Sequence, residues 1–489
     1  MIEFKNISFS YCGQKQGSLK EINLHIKKGE CVLLCGRSGC GKTTIIRLIN
    51  GVIPHFYTGN LVGDILIEGE HISEFPMYKI AEYVGSVFQN PRTQFFNIDT
   101  DSEIAFGLEN MAYDSERIAN IVEKVAIDLD IEKLRGRSIF KLSGGEKQKI
   151  AFASVYAMNP DIFLLDEPSS NLDMISIKNL RKKLKKLKDK GKTILIAEHR
   201  IFYLMDLVDK IIYLEEGKIA KVYCPKEFRK IPLEQRKAMG LRSINLSEEN
   251  FKYRNLLNGK KDLKINNLTV FYKKRDIIKN CSFQVAKGEI IALTGNNGEG
   301  KTTFSRVLCG LHKEYVGDIF LENKQIKEKE RLEISYMVMQ DVNYQLFAES
   351  VQEECLLGIK NPDKNKVNEI LKRLDLYNFK NLHPNILSGG QKQRVAVAVS
   401  MICNKEILIF DEPTSGLDYE SMIKVSKLLK ELASMGKIIF VITHDYELIC
   451  QVCTRILHLS GGRFKYDLNL DEENFKIIEK IFTGILYTS

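Results

Sequence analysis

No apolar run in this chain approaches the ~18 residues a helix needs to cross a bilayer, which argues against a membrane-spanning protein. The first residues, Met1-Ile2-Glu3-Phe4-Lys5, have no apolar signal-peptide core, so the chain is expected to stay in the cytoplasm. Zinc-site spacing is missing as well. Cys450 and Cys453 form one C-x-x-C, with no second pair and no His-x-His spacing beside it. The other cysteines, such as Cys31, Cys35, Cys281 and Cys309, sit among apolar neighbours. That suits small buried residues in a reducing compartment and argues against a disulfide framework. An acidic surplus is absent too, since the net charge is +9. Ordinary surface lysine accounts for that value. The sharper readings are contact with an anionic membrane face or with nucleic acid.

What is present is a repeat. At 489 residues the chain is too long for one typical domain. Hydrophobic content of 44% and charged content of 28% suit a globular protein. The stretch Glu3 to Tyr11 resembles Lys264 to Tyr272, and Tyr11 and Tyr272 lie 261 residues apart. Leu-Ser-Gly-Gly occurs at Leu142 and Leu387, Asp-Glu-Pro at Asp166 and Asp411, and a histidine at His199 and His444, each at an offset of 245. The chain therefore reads as a tandem duplication. The expected divisions are 1–224, a charged linker at 225–262, and 263–489.

Each copy alternates short apolar runs with helical spacing. Ile162 to Leu165, Thr193 to Ala197, Ile407 to Phe410 and Lys437 to Thr443 read as central strands. Ile177, Leu180, Leu184 and Leu187 recur at helical spacing, with Lys182, Lys183, Lys185 and Lys186 as that helix's solvated face. Ile118, Ile121, Val122, Val125 and Leu129 predict another amphipathic helix. The expected fold class is α/β, a mostly parallel sheet with a helical insert.

The chemistry begins at Gly36-Arg37-Ser38-Gly39-Cys40-Gly41-Lys42-Thr43, between an apolar run (Cys31 to Cys35) and a helical one beginning at Thr44. It fits the phosphate-binding loop G-x-x-x-x-G-K-[ST]. Its glycines let backbone N–H groups converge on one anion at a helix N-terminus. Lys42 would reach the β- and γ-phosphates, and the Thr43 hydroxyl would ligate Mg²⁺. The motif recurs as Gly295-Asn296-Asn297-Gly298-Glu299-Gly300-Lys301-Thr302, followed by Thr303. Cys40 lies in the first loop beside Lys42 and a helix N-terminus, both of which favour thiolate, so a reactive cysteine is expected.

Asp166 and Asp411 end apolar runs, as a Mg²⁺-linked carboxylate at a strand tip would. Glu167 and Glu412 follow, placed to orient or deprotonate an attacking water. Ser143-Gly144-Gly145 and Ser388-Gly389-Gly390 offer a hydroxyl and bare N–H groups to an anion, although a lone Ser-Gly-Gly could be a plain helix N-cap. Leu-Ser-Gly-Gly, twice, about twenty residues before Asp-Glu-Pro, resembles the signature of the ATP-binding-cassette (ABC) family.

That resemblance covers nearly the whole chain and implies two ABC ATPase domains of P-loop NTPase type, arranged head-to-tail. It implies ATP and Mg²⁺ as ligands. By position, Tyr11 and Tyr272 would stack on adenine, with core packing as the plainer role. Gln89 and Gln340 would sense Mg²⁺ and the γ-phosphate. Ser143 and Ser388 would touch the γ-phosphate bound by the opposite copy, while His199 and His444 would be switch histidines. The metal set would be Thr43, Gln89 and Asp166, and Thr302, Gln340 and Asp411. Two departures stand out. Asn171 replaces the usual glycine, and Ala197-Glu198-His199-Arg200 replaces the Thr443-His444-Asp445 pattern.

Gln89-Asn90-Pro91-Arg92-Thr93-Gln94-Phe95-Phe96, then Glu103-Ile104-Ala105-Phe106-Gly107, is similar to ATPases of energy-coupling-factor importers. That similarity implies a short helix after the glutamine that docks a membrane T component. It also implies a separate S component that captures a vitamin or metal ion, and a peripheral place on the cytoplasmic face of the membrane. Fused sugar-importer ATPases are one alternative, although their second P-loop often loses the lysine that Lys301 keeps. A soluble ABC protein acting on ribosomes or nucleic acid is the other, favoured only by the basic charge.

Overall fold

The computed structural model describes residues 1–13, 17–170, 172–251, 261–359, 363–387 and 389–487. Ser388 and Asn171 lie outside the described residues. The chain divides into two compact units, Met1–Asn245 and Leu246–Ser489.

In the first unit a six-stranded sheet runs in the order Lys218–Tyr223, Lys210–Glu215, Cys31–Gly36, Thr193–Ala197, Ile162–Asp166 and Val84–Val87. Its pairings are parallel apart from the edge hairpin of Lys210–Glu215 and Lys218–Tyr223. Cys31–Gly36, Ile162–Asp166 and Thr193–Ala197 are buried along their whole length. Parallel strands covered on both faces read as continuous apolar runs, which is why these were legible as strands.

A second, antiparallel sheet orders Leu19–Ile26, Ile2–Tyr11, Gly59–Ile67 and Glu70–His71. Along Ile2–Tyr11 the buried side chains are Ile2 and Phe4, then Ile7 and Phe9. The phase slips by one residue at Asn6, whose φ is +51°, where the pairing register also shifts. Such a bulge keeps the apolar set on one face. The second copy repeats it: Leu263 and Ile265 are buried, then Leu268 and Val270, with Asn267 at φ +47°.

The two sheets share one core, in which Phe4, Ile7, Val32, Leu34, Ile45 and Leu48 pack together. Full burial of such a side chain contributes about 1.5–3 kcal/mol relative to exposure. Ile45 and Leu48 belong to the helix Lys42–Ile49, so this core holds the helix whose N-terminus completes the P-loop.

The second unit repeats the plan, with Ser335–Val338, Ile407–Asp411, Ile438–Ile442, Ile290–Thr294, Arg455–Ser460 and Arg463–Asn469 in order. Its helical part is shorter. Helices of 11 residues (Thr100–Asn110) and 14 residues (Ser115–Asp128) face counterparts of 6 residues (Val351–Leu356) and 10 residues (Lys364–Arg373).

The stretch expected as a linker begins with structure of its own. Pro225–Arg229 and Leu233–Ala238 are short helices, and Phe228, Arg236 and Arg242, which belong to the first unit, are buried. Helices of five and six residues are too short to leave a periodic signal in the sequence.

Candidate functional site

Each P-loop wraps its own lysine. Lys42 Nζ donates to the carbonyls of Gly36 and Arg37, both at 3.0 Å. Lys301 Nζ donates to Gly295 O at 2.6 Å and Asn296 O at 2.9 Å. Gly36 has φ +142°, and a Cβ there would lie 2.2 Å from Leu214 O, so no other residue fits this turn. Gly41 and Gly300 are the left-handed residues that open the two loop helices.

Beside each lysine the next residue meets the strand-end aspartate. Thr43 Oγ1 donates to Asp166 Oδ1 at 3.2 Å, and Thr302 Oγ1 donates to Asp411 Oδ2 at 3.1 Å. Burial pushes both carboxyls up, Asp411 to about 6, while the threonine hydrogen bonds oppose the shift. A hydroxyl and a carboxylate are hard oxygen donors of the kind Mg²⁺ takes, so the residues present fit that ion. A cation here would draw both aspartates back to the ionised form.

Glu167 and Glu412 sit one residue further, at φ +47° and +50°. Left-handed backbone is rare for glutamate and clusters at functional sites. The strain is held by the neighbouring strand, since Glu167 N donates to Ala197 O at 2.8 Å and Glu412 N to Ile442 O at 2.9 Å. Glu167 Oε2 accepts from Gln89 Nε2 at 2.7 Å. His199 Nε2 lies 3.7 Å from Glu167 Oε1, and His444 Nε2 lies 3.7 Å from Glu412 Oε1. Burial, with Asp166 and Glu198 adding to it, pushes Glu167 up to about 8. His444 Nε2 also faces Asn297 Oδ1 of the P-loop at 3.2 Å. A carboxylate poised beside a histidine, a glutamine and a phosphate cradle can activate a water for attack on a phosphoryl group.

Other predicted residues are placed less directly. Ser143 caps the helix Gly144–Met158 in a capping box with Glu146, and Gly145 is buried in its first turn. Gly390 stands in the first turn of Gly389–Ile402, where a Cβ would come within 3.3 Å of Leu417. Tyr11 is half-buried; its hydroxyl lies 3.3 Å from Thr44 Oγ1, and its ring meets Phe9 edge-on at 4.8 Å. Tyr272 is 49% exposed and stacks on His312 at 6.4 Å. Gly39 and Gly298 have left-handed backbone, Ser38 and Gln340 stand in loops, and Thr303 lies in the first turn of the helix Lys301–Leu308.

Two expectations are corrected. Cys40 is buried, its Sγ 3.8 Å from Lys42 Nζ, and burial raises its thiol above the ordinary value despite Lys42. Desolvation outweighs the nearby charge. The helix expected to carry Gln94–Phe96 is also absent. Pro91–Thr93 form a single 3-10 turn, and the chain then runs as a loop to the helix Thr100–Asn110.

The same loop holds functional candidates that were misread. Gln94 Oε1 accepts from Phe88 N at 3.3 Å and its Nε2 donates to Ser86 O at 3.0 Å. The buried Glu103 Oε2 accepts from Phe96 N at 3.0 Å and Asn97 N at 2.8 Å. Gln345 and Glu354 repeat both devices, on Met339 and Met337, and on Phe347 and Ala348. The pair thus staples the segment after each Gln89-type glutamine and leaves Phe96 75% and Phe347 73% exposed. A signal existed: Gln94 with Gln345 and Glu103 with Glu354 share the 251-residue offset of Gln89 with Gln340.

Comparison with known proteins bears on this arrangement. A family model described as ABC transporter matches residues 19–170 and 278–415. A Treponema denticola protein, provisionally named an ABC transporter ATP-binding protein, is 52% identical over 480 residues, covering 97% of this chain and 98% of its own. A second T. denticola protein of the same name is 39% identical, over 96% and 97%. Among solved structures, one described as a model of ribosome-bound archaeal Pelota and ABCE1 superposes with TM-score 0.71 at 22% identity, over 98% of this chain and 80% of its own. At that identity the likeness speaks for the fold alone.

Proposed function

Because this chain belongs to the family of ABC transporter ATP-binding proteins and is an ATP-hydrolysing enzyme, we propose that it powers an importer of the energy-coupling-factor type. Its membrane partners would be a T component that transmits the stroke and an S component that captures a vitamin or metal ion. The observation that carries this reading is the paired staple. Twice, a glutamine and a buried glutamate lock the loop after a nucleotide-sensing position and hold a phenylalanine out to solvent. Exposed aromatics on a rigidly held loop suit a docking surface. Ile98 and Phe140 beside the first, at 70% and 77% exposure, enlarge the apolar surface.

In this reading Thr43, Gln89 and Asp166 hold Mg²⁺ at one site, and Thr302, Gln340 and Asp411 at the other. The ion would supply charge neutralisation at the phosphates. Glu167 and Glu412 take the proton from water, and His199 and His444 hold the γ-phosphate. ATP binding and hydrolysis at these sites would drive the stroke. No helix among the described residues is long and apolar enough to cross a membrane. The chain would sit peripherally on the cytoplasmic face, held by its partners.

The test is purification of the tagged chain from detergent-solubilised membranes and, in parallel, from ribosome pellets. Two integral membrane proteins are expected from the first. Their loss on Phe96→Ser with Phe347→Ser, at unchanged ATP affinity, supports the docking loop. Recovery with ribosomes instead contradicts the proposal.

A further inference from the structure

The first copy departs from the second around its histidine. His199 and His444 correspond, and so do Glu198 with Thr443 and Arg200 with Asp445. The carboxylate has moved from the position after the histidine to the position before it. In the second copy Asp445 Oδ2 accepts from Thr414 Oγ1 at 2.7 Å, while Thr443 Oγ1 accepts from Asp445 N at 3.0 Å and lies 3.5 Å from Glu412 Oε2. Asp445 thereby joins the switch histidine to Thr414, two residues after Glu412. Arg200 cannot accept such bonds.

The first copy rebuilds the junction with Glu198, which is 2% exposed. Glu198 Oε1 accepts from His199 N at 2.8 Å and Arg200 N at 3.1 Å. Its Oε2 accepts from Tyr203 OH at 3.0 Å and Ser169 N at 3.2 Å. Ser169 corresponds to Thr414 and stands two residues after Glu167. A buried carboxylate is tolerated only with donors of this kind, and such bonds are stronger than neutral ones. Burial and Glu198 together raise the Tyr203 phenol well above its usual range, so it stays a donor.

We propose that Glu198 is the positioning residue of the first hydrolytic site, fixing the His199 backbone and the segment after Glu167 relative to each other. It does through backbone N–H groups what Asp445 does through the Thr414 hydroxyl. This rests on reading Glu167 and His199 as a hydrolytic pair. The two sites then keep the same geometry by different chemistry, and each answers to a different substitution.

The test uses the full chain carrying Glu412→Gln, so that turnover reports the first site, and measures kcat and KM for ATP with thermal melting. Glu198→Gln keeps the shape but turns an N–H₂ toward Ser169 N. It is expected to lower kcat to within about threefold of His199→Ala, with KM changed by less than about twofold. Adding it to His199→Ala should lower kcat no further, because residues acting as one unit are not additive. Glu198→Thr with Arg200→Asp and Ser169→Thr installs the second copy's junction and should recover most of the rate. Tyr203→Phe removes one donor and gives an intermediate loss should Glu198→Gln melt too low to assay. Full activity of Glu198→Gln beside an impaired His199→Ala overturns the proposal alone. So does a double variant whose losses multiply. Full activity of His199→Ala overturns the pair on which the proposal rests, and the proposal with it.

Discussion

Cys40 sits between Gly39 and Gly41 at the mouth of a loop that should draw anions, and its thiol is nevertheless raised above its ordinary value. Only 4% of the residue is exposed, and at that depth the cost of stripping water from a thiolate exceeds what Lys42 returns. Maleimide should therefore label Cys12 and Cys224, both exposed, well before Cys40 in nucleotide-free protein. A difference of at least about tenfold in rate is expected, since both thiolate fraction and access are reduced. Peptide mapping of a labelling time course checks it, and equal labelling of Cys40 contradicts the burial argument. At this scale the sequence is legible where chemistry is local. Thr43 next to Lys42 was bound to meet a strand-end carboxylate once the P-loop was recognised. Cys40 was misread because its fate depends on Gly36 and on how closely the loop closes over it.

The loop from Phe88 to Asn97 shows what an element hides. The resemblance implied a short exposed helix after Gln89 that would carry Gln94, Phe95 and Phe96. The Asn90 side chain, which accepts from Arg92 N at 3.1 Å, caps the start of the turn with Pro91 in its first position, and the turn closes after three residues. Gln94 then faces inward and holds backbone on its own loop. The two kinds of residue should separate on mutation. Gln94→Ala removes both loop bonds and is expected to cost about 1–3 kcal/mol locally, seen as faster hydrogen exchange at Phe88. Phe96→Ser should leave exchange unchanged and weaken partner capture. A Phe96→Ser variant that melts like a core substitution contradicts the exposed-loop account. Helical periodicity cannot distinguish a turn from a helix over so few residues, whereas the shared 251-residue spacing of glutamine and glutamate could have marked the staple.

At the scale of the whole molecule the duplication was the strongest signal, because one offset of 245 carries Leu-Ser-Gly-Gly, Asp-Glu-Pro and the histidine alike. The same plan of strands appears in both units, down to the bulges at Asn6 and Asn267. The division at Asn245 and Leu246 was less legible. Phe228 and Arg242 are buried, and nothing in their immediate neighbours in the sequence announces it. The central claim is that each unit carries a hydrolytic site whose base is the left-handed glutamate. The most direct measurement is ATP turnover by the chain carrying both Glu167→Gln and Glu412→Gln, alongside its ATP affinity. The account predicts unchanged binding and a loss of at least about 10²-fold in hydrolysis, the usual contribution of a positioned base. Hydrolysis at the wild-type rate by that double variant would contradict it.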